Sequence, residues 1–138
     1  MKLTEIVRVD SKGRITIPMV IREALNIIEG MHVILIADTD KREIIVSPAI
    51  SPGMDVYEIY MEIKDVPGAL AEVTEFMAKH GVDLITTHCT SVRRGETAEC
   101  ILVADLTSAK IKPEELKTEL LKLMNVKLVN IKSLRRSY

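Results

Sequence analysis

Apolar and polar positions alternate in two short runs at the start of the chain. Val7 and Val9 alternate with Ile6, Arg8 and Asp10, and Ile15 and Ile17 alternate with Arg14 and Thr16. A period of two is the pattern of a strand with two distinct faces. Ser11-Lys12-Gly13 lies between the runs, and a three-residue hairpin loop with Gly in the left-handed position suits that spacing. This register pairs Asp10 with Arg14 and Arg8 with Thr16. Those four share one face, and Val7, Val9, Ile15 and Ile17 share the other. A loop of two or four residues would set Val9 opposite Arg14 and mix the faces. Pro18 suits the first turn of a helix, which Met19 to Asn26 supply with Val20, Ile21 and Leu25 as its apolar face. Gly30 follows, and then His32 to Ala37 and Glu43 to Ser47 form a second strand pair around Asp38-Thr39-Asp40. The order is ββαββ. A unit this small buries too little apolar surface to be comfortable alone, and an intertwined dimer sharing one core is the natural remedy.

The stretch Ser47-Pro48-Ala49-Ile50-Ser51-Pro52-Gly53 breaks the periodicity with Pro, Ser and Gly. We divide the chain there into a first domain over 1–48, a linker over 49–53 and a second domain over 54–138. In the second domain Tyr57, Ile59, Met61 and Ile63 alternate with Glu58, Tyr60, Glu62 and Lys64, a strand with one buried face. After the turn Asp65-Val66-Pro67-Gly68, residues 69–80 form an amphipathic helix with Leu70, Val73, Phe76 and Met77 inward. Gly81 stops it. Strands over 82–92 and 97–106 are joined by Arg93-Arg94-Gly95, and Pro113 opens a second helix with Glu114 and Glu115 in its first turn, where the dipole favours them. Its buried stripe is Leu116, Leu120, Leu123 and Met124, and a last strand covers 126–134. The order βαββαβ is a ferredoxin-like split βαβ unit, so the whole chain is of the α+β class.

Composition adds little until charge is split by position. With 47% hydrophobic and 28% charged residues the chain has an ordinary folded composition, and its net charge of −1 argues against binding polyanions by bulk charge. Residues 1–22, however, carry Lys2, Arg8, Lys12, Arg14 and Arg22 against Glu5 and Asp10, a balance of +3. Residues 23–50 stand at −3 and the remainder at −1. A local basic cluster is a candidate nucleic-acid footprint, its alternative being a solvated face. The longest apolar run, Val33 to Ala37, is five residues, too short to cross a bilayer, and no leader pattern opens the chain, so a cytoplasmic location without membrane contact is expected.

The run Val9-Asp10-Ser11-Lys12-Gly13-Arg14-Ile15-Thr16-Ile17-Pro18, with Ile21-Arg22 and Leu25 after it, resembles the AbrB/SpoVT-type DNA-binding domain. The resemblance covers residues 1–50. It implies a swapped-hairpin homodimer whose two units interlock into one barrel and hold double-stranded DNA against one face. The matching DNA-contacting positions are Arg14 and Arg22, with Arg8 close by and Lys12 in the loop. Where members of the family often carry two adjacent basic residues on the helix, this chain has Arg22-Glu23. The run Ile63-Lys64-Asp65-Val66-Pro67-Gly68-Ala69-Leu70, with Gly81-Val82-Asp83-Leu84 after the helix, resembles the ACT domain over about 54–134. That resemblance implies edge-to-edge pairing and a small effector, often an amino acid, near Asp65, Gly68, Ala69 and Leu70, with Asp83 on its ammonium group. Gly68 lets a ligand approach the backbone, and the N–H groups of the helix start suit a carboxylate. The alternative is an ACT domain that serves assembly alone.

Other candidate chemistry is sparse. His32, His80 and His88 have no partners at metal spacing, and His80 reads as a helix-end residue. Cys89 and Cys100 fall on neighbouring predicted strands, within reach of each other, and are read as buried small hydrophobes. Arg135 and Arg136 read as a solubilising tail. No constellation for nucleophilic or acid–base catalysis is present, so neither an enzyme nor a cofactor is expected. The chain lacks Gln and Trp and is rich in Ile, Lys and Glu, the usage of thermophile proteins. The expected function is a transcription regulator whose ACT domain senses an effector, assembled as a homodimer or homotetramer. The alternatives are a regulatory subunit of an amino-acid biosynthetic enzyme and an AbrB-fold antitoxin.

Overall fold

The computed structural model describes residues 1–50 and 53–134, so Ser51 and Pro52 of the expected linker and Arg135 and Arg136 lie outside the described residues. The chain divides into two compact units between residues 52 and 53.

In the first unit, helix α1 (Met19–Ala24) is followed by an antiparallel pair, β1 (His32–Asp38) and β2 (Glu43–Ile50). Ile36 pairs with Ile45 and Ala37 with Ile44, with a bulge between His32 and Ile34. The Asp38 carboxylate accepts the Lys41 N–H at 3.0 Å and closes the intervening turn. Strand β2 runs three residues beyond the expected Ser47, through Pro48 to Ile50, which pairs with His32.

Three expectations for this unit need correction. No strand is formed over residues 1–18: the runs around Val9 and Ile15 have their turn bonds but no ladder, so the order seen in one chain is αββ rather than ββαββ. A lone two-stranded hairpin is marginal without a third strand or a covering element. Pro18 is the residue before the helix (φ −57°, ψ 145°) rather than its first, and α1 ends at Ala24 instead of Asn26. Its expected apolar face is not buried: Val20 and Leu25 are exposed and no residue of α1 is buried. Among the described residues, much of the apolar side of the hairpin and helix stays open: Val9, Ile15, Val20 and Leu25 are exposed.

The second unit has strand β3 (Val56–Lys64), helix α2 (Ala69–Lys79), strands β4 (Asp83–Arg93) and β5 (Thr97–Asp105), helix α3 (Pro113–Leu121) and strand β6 (Val126–Ser133). The sheet order is β4-β5-β3-β6, and each neighbouring pair is antiparallel. The alternation read in β3 is present: Ile59, Met61 and Ile63 are buried, and Glu58, Tyr60 and Glu62 are half-buried on the other face. The buried set joins Val73 and Met77 of α2, Leu116 and Leu120 of α3, and Cys100 and Leu102 of β5 in one core. Gly81 ends α2 at φ +69°, where an added Cβ would stand 2.9 Å from the Ser108 carbonyl oxygen. The His80 ring donates from Nδ1 to the Phe76 carbonyl at 2.9 Å, a helix-end role.

Two readings fail in this unit. Met124 is exposed, because α3 ends at Leu121 and the chain turns through a Val126 N–H to Leu123 carbonyl bond into β6. Cys89 and Cys100 are not free hydrophobes but a disulfide, their positions directly opposed across β4 and β5.

Candidate functional site

The basic segment is organised by its loop. The Asp10 N–H donates to the Arg14 carbonyl and the Gly13 N–H to the Asp10 carbonyl, both at 3.0 Å, with Gly13 at φ +76°. This is the three-residue loop and the Asp10–Arg14 pairing read from the alternation. The Asp10 carboxylate then gathers three donors: Oδ1 accepts from the Lys12 and Arg14 N–H groups at 2.9 Å, and Oδ2 from Arg14 Nε at 2.8 Å. These bonds, the Arg14 amide foremost and then its guanidinium, hold the carboxyl below its ordinary value. Arg14 uses only Nε on Asp10, and its two terminal nitrogens have no partner among the described residues. Arg8, Lys12 and Arg14 are all exposed. Arg22 is exposed in the last turn of α1. Four unburied cations over these two elements suit a phosphate backbone, which fixes position rather than sequence.

The candidate effector residues do not form one site within the chain. Gly68 begins α2 at φ +88° with open space where a Cβ would go, so a ligand can approach its backbone. Ala69, however, is buried and gives its N–H to the Val66 carbonyl at 3.2 Å, and Leu70 packs against the core. Asp65 is spoken for. Its Oδ2 accepts from Ser91 Oγ at 2.7 Å and from the Gly95 N–H at 3.0 Å, while its own N–H donates to the Glu96 carbonyl at 3.2 Å. The Ser91 bond, then the Gly95 amide, keep its carboxyl below the ordinary value, with a further contribution from Arg94. Asp65 thus ties the β3–α2 loop to the β4–β5 turn.

Asp83 lies at the far end of the sheet. It pairs with Asp105, which pairs with Val56 at the start of β3, whereas Lys64 at the other end pairs with Thr97. Nine residues of β3 separate these ends, about 26 Å at 3.3 Å per residue. Asp105 is itself occupied: burial pushes its carboxyl up, and bonds from the Thr107 hydroxyl, the Thr107 N–H and the Asp55 N–H bring it below the ordinary value.

The sequence reading missed Ser91, Gly95 and Lys127. The Lys127 ammonium donates to the Glu96 carbonyl at 3.1 Å and to Thr97 Oγ1 at 2.6 Å, bracing the same turn from β6. The available signal was topological. In a split βαβ order, the end of the first strand and the central hairpin turn fall at the same edge of the sheet. Among the described residues, no group of three or more His, Cys, Asp or Glu side chains is placed to hold a metal ion. Among them also, no helix is long and apolar enough to cross a membrane.

Residues 6–53 match the family model of the antidote-toxin recognition protein MazE, a bacterial antitoxin. This region is thereby similar to the AbrB-like swapped-hairpin group and supports a regulator of the DNA-binding or antitoxin type. No match is found among curated proteins. Among solved structures, the chain is similar to the C-terminal domain of the MgtC protein from Mycobacterium tuberculosis at 14% identity and a TM-score of 0.47, over 62% of this chain and 93% of that one.

Proposed function

We propose that the chain is a non-enzymatic, DNA-binding transcription regulator that works as a homodimer or higher homo-oligomer and senses a small effector through its second unit. The observation that carries the DNA half is the family match over residues 6–53, on a hairpin whose Arg8, Lys12 and Arg14 stand exposed around a loop tied by Asp10. A second copy covers the apolar side of the first unit and doubles the cations. Arg8, Lys12, Arg14 and Arg22 from both copies give ~6–8 phosphate contacts, so log K falls against log salt with a slope of roughly −5 to −7. Among the described residues of this unit, no helix is long and basic enough to read the major groove by itself. Part of the sequence preference then comes from DNA shape and deformability.

The effector half is an ACT-type, ferredoxin-like domain. Its support is the run Asp65-Val66-Pro67-Gly68-Ala69-Leu70 together with the strand order β4-β5-β3-β6. An amino-acid carboxylate approaches the Gly68 backbone. Antiparallel pairing of two β4 edges reverses one sheet relative to the other and brings one copy's Asp83 end beside the Gly68 end of its partner, which closes the gap found within one chain. The effector site in this reading belongs to the dimer.

DNA binding measured by fluorescence anisotropy across a salt series, with and without a panel of amino acids, tests both halves. Arg14→Ala and Arg22→Ala are expected to weaken binding and flatten the salt slope by about one per contact removed in each copy. Unchanged affinity and slope would remove the proposed surface. By linkage, an effector that alters DNA affinity is itself bound with the same coupling factor when DNA is present. A blank amino-acid panel leaves the second unit as an assembly module.

A second reading, the antitoxin, is favoured by the description of the matching family. It requires that the chain neutralise a co-expressed toxin through a tight complex. Growth rescue by the full chain in the absence of any salt-sensitive DNA retention would select that reading.

A further inference from the structure

We propose that the Cys89–Cys100 pair is a thiol–disulfide exchange site, entered by a small thiol at Cys89 and able to loosen the distal half of the β4–β5 hairpin. The proposal stands apart from the DNA and effector readings and needs neither. The two cysteines are direct cross-strand partners, so closing the bond requires no rearrangement of the ladder. Their surroundings are opposite. Cys100 is fully buried in the core, whereas Cys89 is exposed, as is every residue of β4 from Thr87 to Arg93. A thiolate from solvent therefore meets Cys89 and not Cys100, and access decides which sulfur is attacked. Pairing along the β4 edge engages its backbone and leaves the Cys89 side chain on the face of the sheet.

The exchange balances as two steps. A thiolate RS⁻ attacks Cys89 Sγ, the Cys89–Cys100 bond breaks, and Cys100 departs as a thiolate that takes up a proton. A second RS⁻ attacks the R-side sulfur of the mixed disulfide, releasing RSSR and a Cys89 thiolate that is also protonated. Two small thiols are oxidised to one disulfide, and the protein disulfide is reduced to two thiols. Beyond Cys89 the hairpin is held by its own ladder and by the bonds of Ser91 and Gly95 to Asp65. Loss of the cross-link frees strand β4 at a point between those bonds and its half-buried stretch Leu84 to Thr86, so reduction reaches the Asp65 loop.

The test uses the full chain, oxidised, in glutathione buffers of varied ratio, with acid quenching and mass analysis of peptides. The native chain is expected to pass between disulfide and dithiol without denaturant, through a glutathione adduct confined to Cys89. Cys100→Ala treated with glutathione disulfide should form that adduct, and Cys89→Ala should form one on Cys100 at least ~100-fold more slowly, since a buried thiol is inert. Amide exchange should rise on reduction across residues 90–97 and stay unchanged in α2 and α3. Equal adduct rates in the two variants, resistance of the native disulfide to glutathione until denaturant is added, or unchanged exchange over 90–97 would each overturn the proposal. The wild-type titration keeps it open to refutation should either variant fail to fold.

Discussion

Asp10 and Asp65 perform the same task in the two units, each gathering donors from a chain that would otherwise have a free loop. Both carboxyls sit below their ordinary value of 3.8 because the bonds favour the ionised form. A depressed folded value means the stabilisation is complete above the unfolded value and is lost as pH falls through the folded one. Amide protection at Lys12 and Gly95 is therefore expected to persist down to about pH 4 and fade in more acidic solution, which hydrogen exchange followed by NMR measures. Asp65→Ala should abolish the Gly95 protection at neutral pH and lower the thermal midpoint of the second unit. Gly81 makes a sharper demand: a side chain there faces both a positive φ and a backbone oxygen. Gly81→Ala is expected to destabilise the unit by more than ~1 kcal/mol in denaturant titration. The Asp10–Arg14 contact was readable because the partners stand only four positions apart, across a three-residue loop. The bonds of Asp65 were not, because its partners lie 26 and 30 residues away and depend on the register of a later hairpin.

Among the elements, those with a sustained period and a core to face were legible from the sequence alone. The expected helix over 69–80 is found at Ala69–Lys79. The expected strand over 82–92 is shifted by one residue at both ends, and those over 97–106 and 126–134 start as expected and end one residue early. Periodicity overreached where it continued past an element: Met124 keeps the spacing of Leu116 and Leu120, but the chain has already turned toward β6. The contrast is measurable. Leu116→Ala, at a fully buried position, should cost ~2–5 kcal/mol by cavity formation. Met124→Ala, at an exposed one, should stay within about 0.5 kcal/mol. The disulfide escaped notice for a different reason. A cross-strand pairing needs an exact register, and the bulges between Leu84 and Thr86 and between Ser91 and Arg93 shift it in ways that alternation does not reveal.

Across the whole molecule the two units are unequally finished. The second has its own core of fully buried Ile59, Met61, Met77, Leu102, Leu116 and Leu120, while among the described residues the buried hydrophobics of the first are Ile34 and Ile50. Ile6, Val9, Ile15 and Leu25 of the first unit are about half or more exposed. An Ile15→Asn substitution is expected to abolish self-association through the first unit in sedimentation equilibrium, with the thermal midpoint of the second unit unchanged. The net charge misled on the same scale, since −1 averages a basic hairpin with an acidic strand pair. What the sequence concealed about the first unit follows from its incompleteness: alternation reveals which face is apolar but not which chain supplies the cover.

That exposed apolar side has a consequence for dosage. A unit that closes its core only against a second copy orders itself in proportion to the square of the chain's abundance, and its stability has no meaning apart from protomer concentration. Under the proposed paired state, halving the number of chains in a dilute cell removes more than half of the completed units. The first unit then gauges its own supply, responding to how much of the chain has been made.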